Sequence, residues 1–358
     1  MTPYYFFLAI VMVFAFYSSE RPWNKTLLFF TLAVMVLFAG LRSQEVGTDA
    51  MGYVRSFVKG KQLLDGNLTE QMTEEIGYIY LKNFLYAISN KYVVFFIGIA
   101  LLTYTCVLIS IRRETDNIII PLFVFITLGL YTFVFNAARQ GIAVGIYMLS
   151  FKYLFESGWK AFLKYCGFVL VAALFHKTVV IALPLFFLFR LRFSTKYLLL
   201  IIVLGFVIAN LMPLFLAYAS MLEQRYAIYS TMARGGEMLT LFYFVITLFF
   251  IYWRRYVDED YLEKYDVFLN MMLFGTLIYV VVQINDLYIE ITRFAAYFQV
   301  ASLFLWAYIY QSEYRPRDIY SVAIVVGHLL FFYIFCSRMA NLVPYKLNPE
   351  LFMFLANE

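Results

Sequence analysis

Charge is what this sequence has least of. Asp, Glu, Lys and Arg make up 14% of its 358 residues, while 63% are hydrophobic and 21% aromatic. A soluble domain carries roughly 25% charged residues to cover itself. A chain this apolar, with a mean hydropathy of +0.77, cannot present a water-compatible surface. That excludes a cytosolic enzyme, a disordered chain and a nucleic-acid binder. There are two histidines and three cysteines. Cys106, Cys166 and Cys336 stand inside apolar runs, without the paired spacing of a disulfide framework or a metal site.

Long apolar runs are what the sequence has in quantity. A spanning helix needs about 20 mostly apolar residues. Runs near 3–17, 26–41, 92–111, 118–135, 139–155, 161–175, 178–190, 197–219, 239–253, 266–284, 293–310 and 317–337 are candidates. Several are short, and the pairs meeting around 136–140 and 175–178 join almost without a loop. None alternates with the period of two that barrel strands require. The first run has no basic residues ahead of it and reads as a span, not a cleaved signal. The expectation is an all-α polytopic membrane protein of about 12 transmembrane helices. Residues 1–358 form a single integral membrane domain in a lipid bilayer.

Orientation follows from Lys and Arg in short connections. One alternate set of loops holds Arg21/Lys25, Arg112/Arg113, Lys152/Lys160/Lys164, Arg190/Arg192/Lys196, Arg254/Arg255/Lys264 and Arg315/Arg317. In the other set, Arg42, Arg55, Lys59, Lys61 and Lys82 are diluted in one long segment, 42–91. The first set is therefore cytoplasmic, and the 42–91 segment lies outside. Within it, Ile76, Ile79, Tyr80, Asn83, Phe84 and Ala87 recur at helical spacing, so an amphipathic helix is predicted there, at the interface or re-entering. The segment 220–238 is the second outer loop.

A charge at membrane depth costs several kcal/mol and usually has a partner or a task. With this topology, Arg42, Asp49, Arg139, His176, Lys177, Arg225, Asp286, Glu290 and Arg293 all fall at outer helix ends or loops. Arg139 and His176 stand out because each sits in a near-absent loop between two runs. Arginine presents a permanently charged planar fork that grips phosphate oxygens in bidentate fashion. It can also neutralise a departing diphosphate without a metal. A divalent-metal site would want clustered carboxylates, and no Asp-x-Asp pair falls in the outer segments; Asp258-Glu259-Asp260 is cytoplasmic. The reading is metal-independent handling of a lipid diphosphate, with no cofactor.

These residues also carry a resemblance. Leu41-Arg42, Val46-Gly47-Thr48-Asp49, Tyr53 and Phe57 resemble the R…GTD…Y…F signature of the EpsG/Wzy family of bacterial polysaccharide polymerases. Phe135-Asn136-Ala137-Ala138-Arg139-Gln140-Gly141-Ile142-Ala143 resembles its FNxxRQxxA element. Phe175-His176-Lys177-Thr178 with Pro184 resembles its H-K-S/T…P element, with Thr where Ser is common. Arg293 with Tyr297-Phe298, and Pro344-Tyr345, resemble weaker late features. The resemblance covers about the whole chain. It implies a glycosyltransferase similar to the GT-C class, at the outer face of the bacterial inner membrane. Such an enzyme moves a growing glycan from undecaprenyl diphosphate onto the non-reducing end of a fresh undecaprenyl-diphosphate-linked oligosaccharide, building O-antigen or capsule. A chain-length regulator is a further partner it implies.

Each candidate has a bland reading beside the functional one. Arg139, flanked by Asn136 and Gln140, binds diphosphate or snorkels; Arg42 and Arg293 face the same choice. Arg225 is a surface residue or helps bind glycan. His176 is the general base or an interfacial helix cap. Asp49 is the rival base or caps the following helix; Asp286 and Glu290 are weaker rivals, and Lys177 adds charge beside His176. His328, among Val, Leu and Phe, reads as buried packing. Two other classes remain: an O-antigen ligase using the same chemistry, and a flippase or transporter, which would place polar residues along a midplane pathway.

Overall fold

The computed structural model describes residues 1–18, 24–64, 74–222, 235–287 and 289–350. They are helical, and among them the one β-contact is an isolated bridge between Arg42 and Leu347. Long aliphatic and aromatic runs without charges leave the backbone no water to bond, so its N–H and C=O groups close on themselves as helices. In chain order these are α1 (Thr2–Ser18), α2 (Lys25–Gly40), α3 (Ala50–Leu64), α4 (Ile76–Ile88), α5 (Tyr92–Glu114), α6 (Ile119–Thr127), α7 (Leu130–Asn136), α8 (Ala138–Met148) and α9 (Trp159–Ala173). After them come α10 (Ala182–Phe189), α11 (Thr195–Leu222), α12 (Glu237–Trp253), α13 (Glu259–Ile284), α14 (Ala296–Gln299), α15 (Ala301–Gln311) and α16 (Ile319–Ile334).

The chain divides into two compact units, residues 1–183 with 316–358, and residues 184–315. In the first, α5 packs against α2 and α8, and α1 packs on α2. Its core is rich in tyrosines whose rings stack and whose hydroxyls donate to carbonyls of neighbouring helices: Tyr4 to Leu342 (2.7 Å), Tyr131 to Met35 (2.7 Å), Tyr104 to Tyr131 (3.0 Å) and Tyr345 to Phe38 (2.6 Å). A buried phenol needs such an acceptor, and here each one ties two elements together. His328 is buried, with Nδ1 2.9 Å from the Thr127 hydroxyl. In the second unit α13 is the central helix. The buried Asn270 amide donates to the Phe189 and Leu191 carbonyls (3.0 and 2.6 Å), and Arg254 makes a two-pronged pair with Asp266 (2.5 and 2.8 Å).

The span count differs from the sequence expectation. Among the described residues, Tyr92–Glu114, Glu237–Tyr256, Glu259–Ile284 and Ile319–Arg338 are long and apolar enough to cross a membrane. The pair Ile119–Thr127 and Leu130–Asn136, bent by 42°, makes a fifth if taken as one span. Thr2–Ser18, Lys25–Gly40, Lys177–Phe189 and Thr195–Leu211 are apolar but shorter. The protein is a multi-pass helical membrane protein, and among the described residues fewer helices reach spanning length than there are apolar runs. The reason is local: apolar composition continues across points where the helix does not. Gly129, left-handed at φ +75°, splits the 118–135 run, and an added Cβ there would meet the Phe335 ring. The 139–155 run ends as helix at Met148 and continues as a 3-10 turn, Phe151–Leu154.

The amphipathic helix expected in 42–91 is α4. Ile76, Tyr80 and Phe84 of the predicted stripe point outward, while Tyr78, Lys82 and Leu85 are buried. At 13 residues α4 is about 20 Å long. Its inward face meets the end of α9: the Gly77 N–H, unpaired in the first turn of a helix, donates to the Leu174 carbonyl (2.8 Å), unpaired in the last turn of another. A Cβ at Gly77 would sit 2.8 Å from that oxygen. Gly77→Val should therefore destabilise the protein by about 1–3 kcal/mol, read as a lower thermal midpoint in detergent; an unchanged midpoint would show that α4 is not held by this approach.

Candidate functional site

Two breaks in the chain carry Arg139 and His176. At Ala137 (φ −138°, ψ 59°) α7 stops and α8 begins, which puts Arg139 in the first turn of α8. After α9, His176 adopts an extended conformation (φ −157°, ψ 106°) before the 3-10 turn Lys177–Ile181. Helix N-termini favour negative charge, so Arg139 does nothing for its own helix there.

Glu75, a residue the sequence reading did not single out, joins the two breaks. Its Oε2 accepts from Arg139 NH1 (2.7 Å). Its Oε1 lies 3.2 Å from His176 Nδ1, within ion-pair range but out of line for a straight hydrogen bond. Oε1 also accepts the Lys177 backbone N–H at 3.3 Å. Glu75 is the N-cap of α4, yet its side chain caps none of that helix's N–H groups; its carboxylate is turned outward to the other segments. The side chain is 10% exposed, against 27% for Arg139 and 22% for His176. Burial alone would raise the Glu75 pKa, but the neighbouring His176 and the Arg139 charge outweigh it and hold the group down at about 2. Arg139 also lies 5.9 Å from the ring centre of the fully buried Tyr78, in cation–π reach.

The adjacent acid makes a second tie. Glu74 pairs with the buried Lys82 (2.5 Å) and accepts from the Ser56 hydroxyl (3.1 Å), to which Lys82 also donates (2.9 Å). This clamps α3 to α4, so that the tandem acids face two different partners. Among the described residues no three His, Cys, Asp or Glu side chains gather as a metal site would require.

The other predicted residues are distributed as follows. Asn136 bridges backbone: Oδ1 accepts from Thr48 N–H (2.8 Å) and Nδ2 donates to the Ala340 carbonyl (3.0 Å). Gln140 is buried in α8, and the Lys177 side chain is exposed. Asp49 directly precedes α3, its carbonyl accepting Tyr53 N–H (3.1 Å), and is half-buried. Arg42 is 3% exposed and has other partners than Glu75. Its guanidinium is sandwiched between the Phe96 and Phe135 rings at 3.8 and 4.1 Å, and NH1 donates to the Ala39 carbonyl at the end of α2. A cation at a helix C-terminus is favourably placed. Burial lowers its pKa to about 10, which leaves it charged at neutral pH. Arg293 belongs to the second unit, half-exposed in the 3-10 turn Ile289–Ala295, which also holds Glu290. Asp286 is exposed, at φ 52°. Arg225 and most of the 220–238 loop lie outside the described residues.

Compared with known proteins, the chain matches the EpsG family model over residues 25–347. No curated protein and no solved structure matches it.

The depressed pKa of Glu75 has a measurable consequence. A carboxyl held below its ordinary 4.5 in the folded state contributes stability in full above about pH 4.5 and loses it as pH falls toward about 2. The difference in thermal midpoint between wild type and Glu75→Gln should shrink as pH falls from about 4.5 toward about 2. A difference that grows in acid would contradict the ion-pair assignment.

Proposed function

The chain belongs to the EpsG family, and on that footing we propose that it is a polysaccharide polymerase of the bacterial inner membrane. In this reading it transfers a growing glycan from undecaprenyl diphosphate to the non-reducing end of a new lipid-linked repeat unit of an O-antigen, capsule or exopolysaccharide, at the outer face. The observation that carries the reading is the meeting of Arg139 and His176, 37 positions apart in sequence, on one carboxylate in a partly open cluster outside the long spans.

The chemistry suits that cluster. Glu75 occupies NH1 of Arg139; among the described residues Nε and NH2 of the fork have no hydrogen-bond acceptor, and these face the donor diphosphate. Lys177 adds a second positive charge. His176 Nε2 takes the proton of the acceptor hydroxyl. The acceptor oxygen forms the new bond to the donor's anomeric carbon as that carbon's bond to the diphosphate oxygen breaks. The electron pair leaves with the diphosphate, whose added charge the guanidinium neutralises without a metal. Arg42 holds the end of α2 in place, and Asn136 and Gln140 keep the α7–α8 junction that presents Arg139. A GT-C-like architecture and a chain-length regulator as partner complete the proposal.

In proteoliposomes with a diphosphate-lipid-linked repeat unit, wild type should build a product ladder that persists in EDTA. Arg139→Ala should insert normally but extend at least about 10²-fold more slowly, leaving single repeat units on the carrier. Wild-type ladders from Arg139→Ala would refute the assignment of Arg139, and finished polymer stranded on the carrier would indicate a ligase.

A further inference from the structure

The roles above leave the charge at the centre of the cluster without one. Glu75 is a costly residue: a carboxylate 10% exposed, next to a membrane, at a helix N-cap where it makes no cap bond. Docking α4 does not require it. The Gly77 N–H already reaches Leu174, and Glu74, Lys82 and Ser56 already tie α4 to α3. What Glu75 alone does is bring one oxygen to His176 Nδ1 and the other to Arg139.

We propose that Glu75 is a positioning residue for transfer: its Oε1 fixes the proton of His176 on Nδ1, presenting an unprotonated Nε2 to the acceptor hydroxyl, while its Oε2 sets the Arg139 fork toward the donor. The inference rests on the reading of His176 as the base. A ring nitrogen's protonation is set by the bond the other nitrogen makes, and an acidic partner at Nδ1 both selects the tautomer and stabilises the imidazolium formed when Nε2 takes the proton. The 3.2 Å contact is loose, as such contacts commonly are before substrate aligns them. The double use has a second consequence. Glu75 neutralises part of the charge that Arg139 offers to a diphosphate, so removing its charge while keeping its shape strengthens donor binding as it weakens turnover.

Two measurements test this. The first needs no activity: with His176 and His328 the only histidines, ¹⁵N-histidine NMR of the full chain in detergent resolves both rings, and His176→Ala assigns them. Wild type should show His176 protonated at Nδ1, and Glu75→Gln should shift that ring toward the Nε2-protonated form. The same tautomer in both would overturn the proposal. The second is kinetic. Glu75→Gln should lower kcat by about 10²-fold with an unchanged or lower KM for the lipid-linked donor, and Glu75→Asp should recover at least tenfold of that loss. In His176→Ala rescued by added imidazole, where only the contact to Arg139 remains to be lost, Glu75→Gln should cost at least about tenfold less than it does in the wild-type background. An equal loss in both backgrounds would make Glu75 purely structural and sink the inference. Wild-type turnover by His176→Ala would instead sink the base on which it rests, and the NMR result tells the two failures apart. Should Glu75→Gln not fold, Glu75→Asp against wild type in the same NMR and rescue assays decides, since a shortened carboxylate that leaves both unchanged is incompatible with positioning.

Discussion

A carboxylate removed from water must be matched by donors, and in this protein that need decides how three distant segments meet. Glu75 takes a guanidinium from the α7–α8 junction, an imidazole and an amide from the turn after α9, and sits itself at the tip of α4. Removing one member of such a group leaves the others short of a partner, a cost that water reaching the part-exposed Arg139 and His176 reduces. The segment between α2 and α5, which looks like a loose outer loop in the sequence, thus brings one carboxylate to the breaks at Ala137 and His176, while Gly77 and Glu74 hold it in place.

The protein buries its charges in two distinct ways. Around Glu75 and around Glu74 it uses opposite charges at close range. Around Arg42 it uses none: among the described residues no carboxylate pairs with that guanidinium, which is held by two aromatic faces and a helix-end carbonyl. An arginine sealed in this manner stabilises a helix terminus, whereas Arg139, with a quarter of its side chain open, keeps donors for something else.

Much of this was legible in the sequence where the signal was local. The near-absent loops at 136–140 and 175–178 are the breaks at Ala137 and at His176, and the periodicity of 76–87 gave the bounds of α4. What was not legible depended on partners far along the chain. Glu75 lies 64 residues from Arg139, and nothing in its neighbourhood marks it off from Glu74. Which face of α4 packs inward was not legible for a related reason: periodicity finds an apolar stripe, but in this protein the stripe is exposed and the inward face carries Tyr78 and Lys82. Apolar runs also extend past the ends of the helices, because hydropathy does not register a left-handed glycine or a 3-10 turn.

The amide of Asn136 grips the backbone at Thr48 with one end and at Ala340 with the other, three positions before Arg139 in the chain. The stretch around residue 340, remote in sequence, is thus mechanically in series with the guanidinium. Strain applied to that late stretch would reach the first turn of α8 through the Asn136 amide.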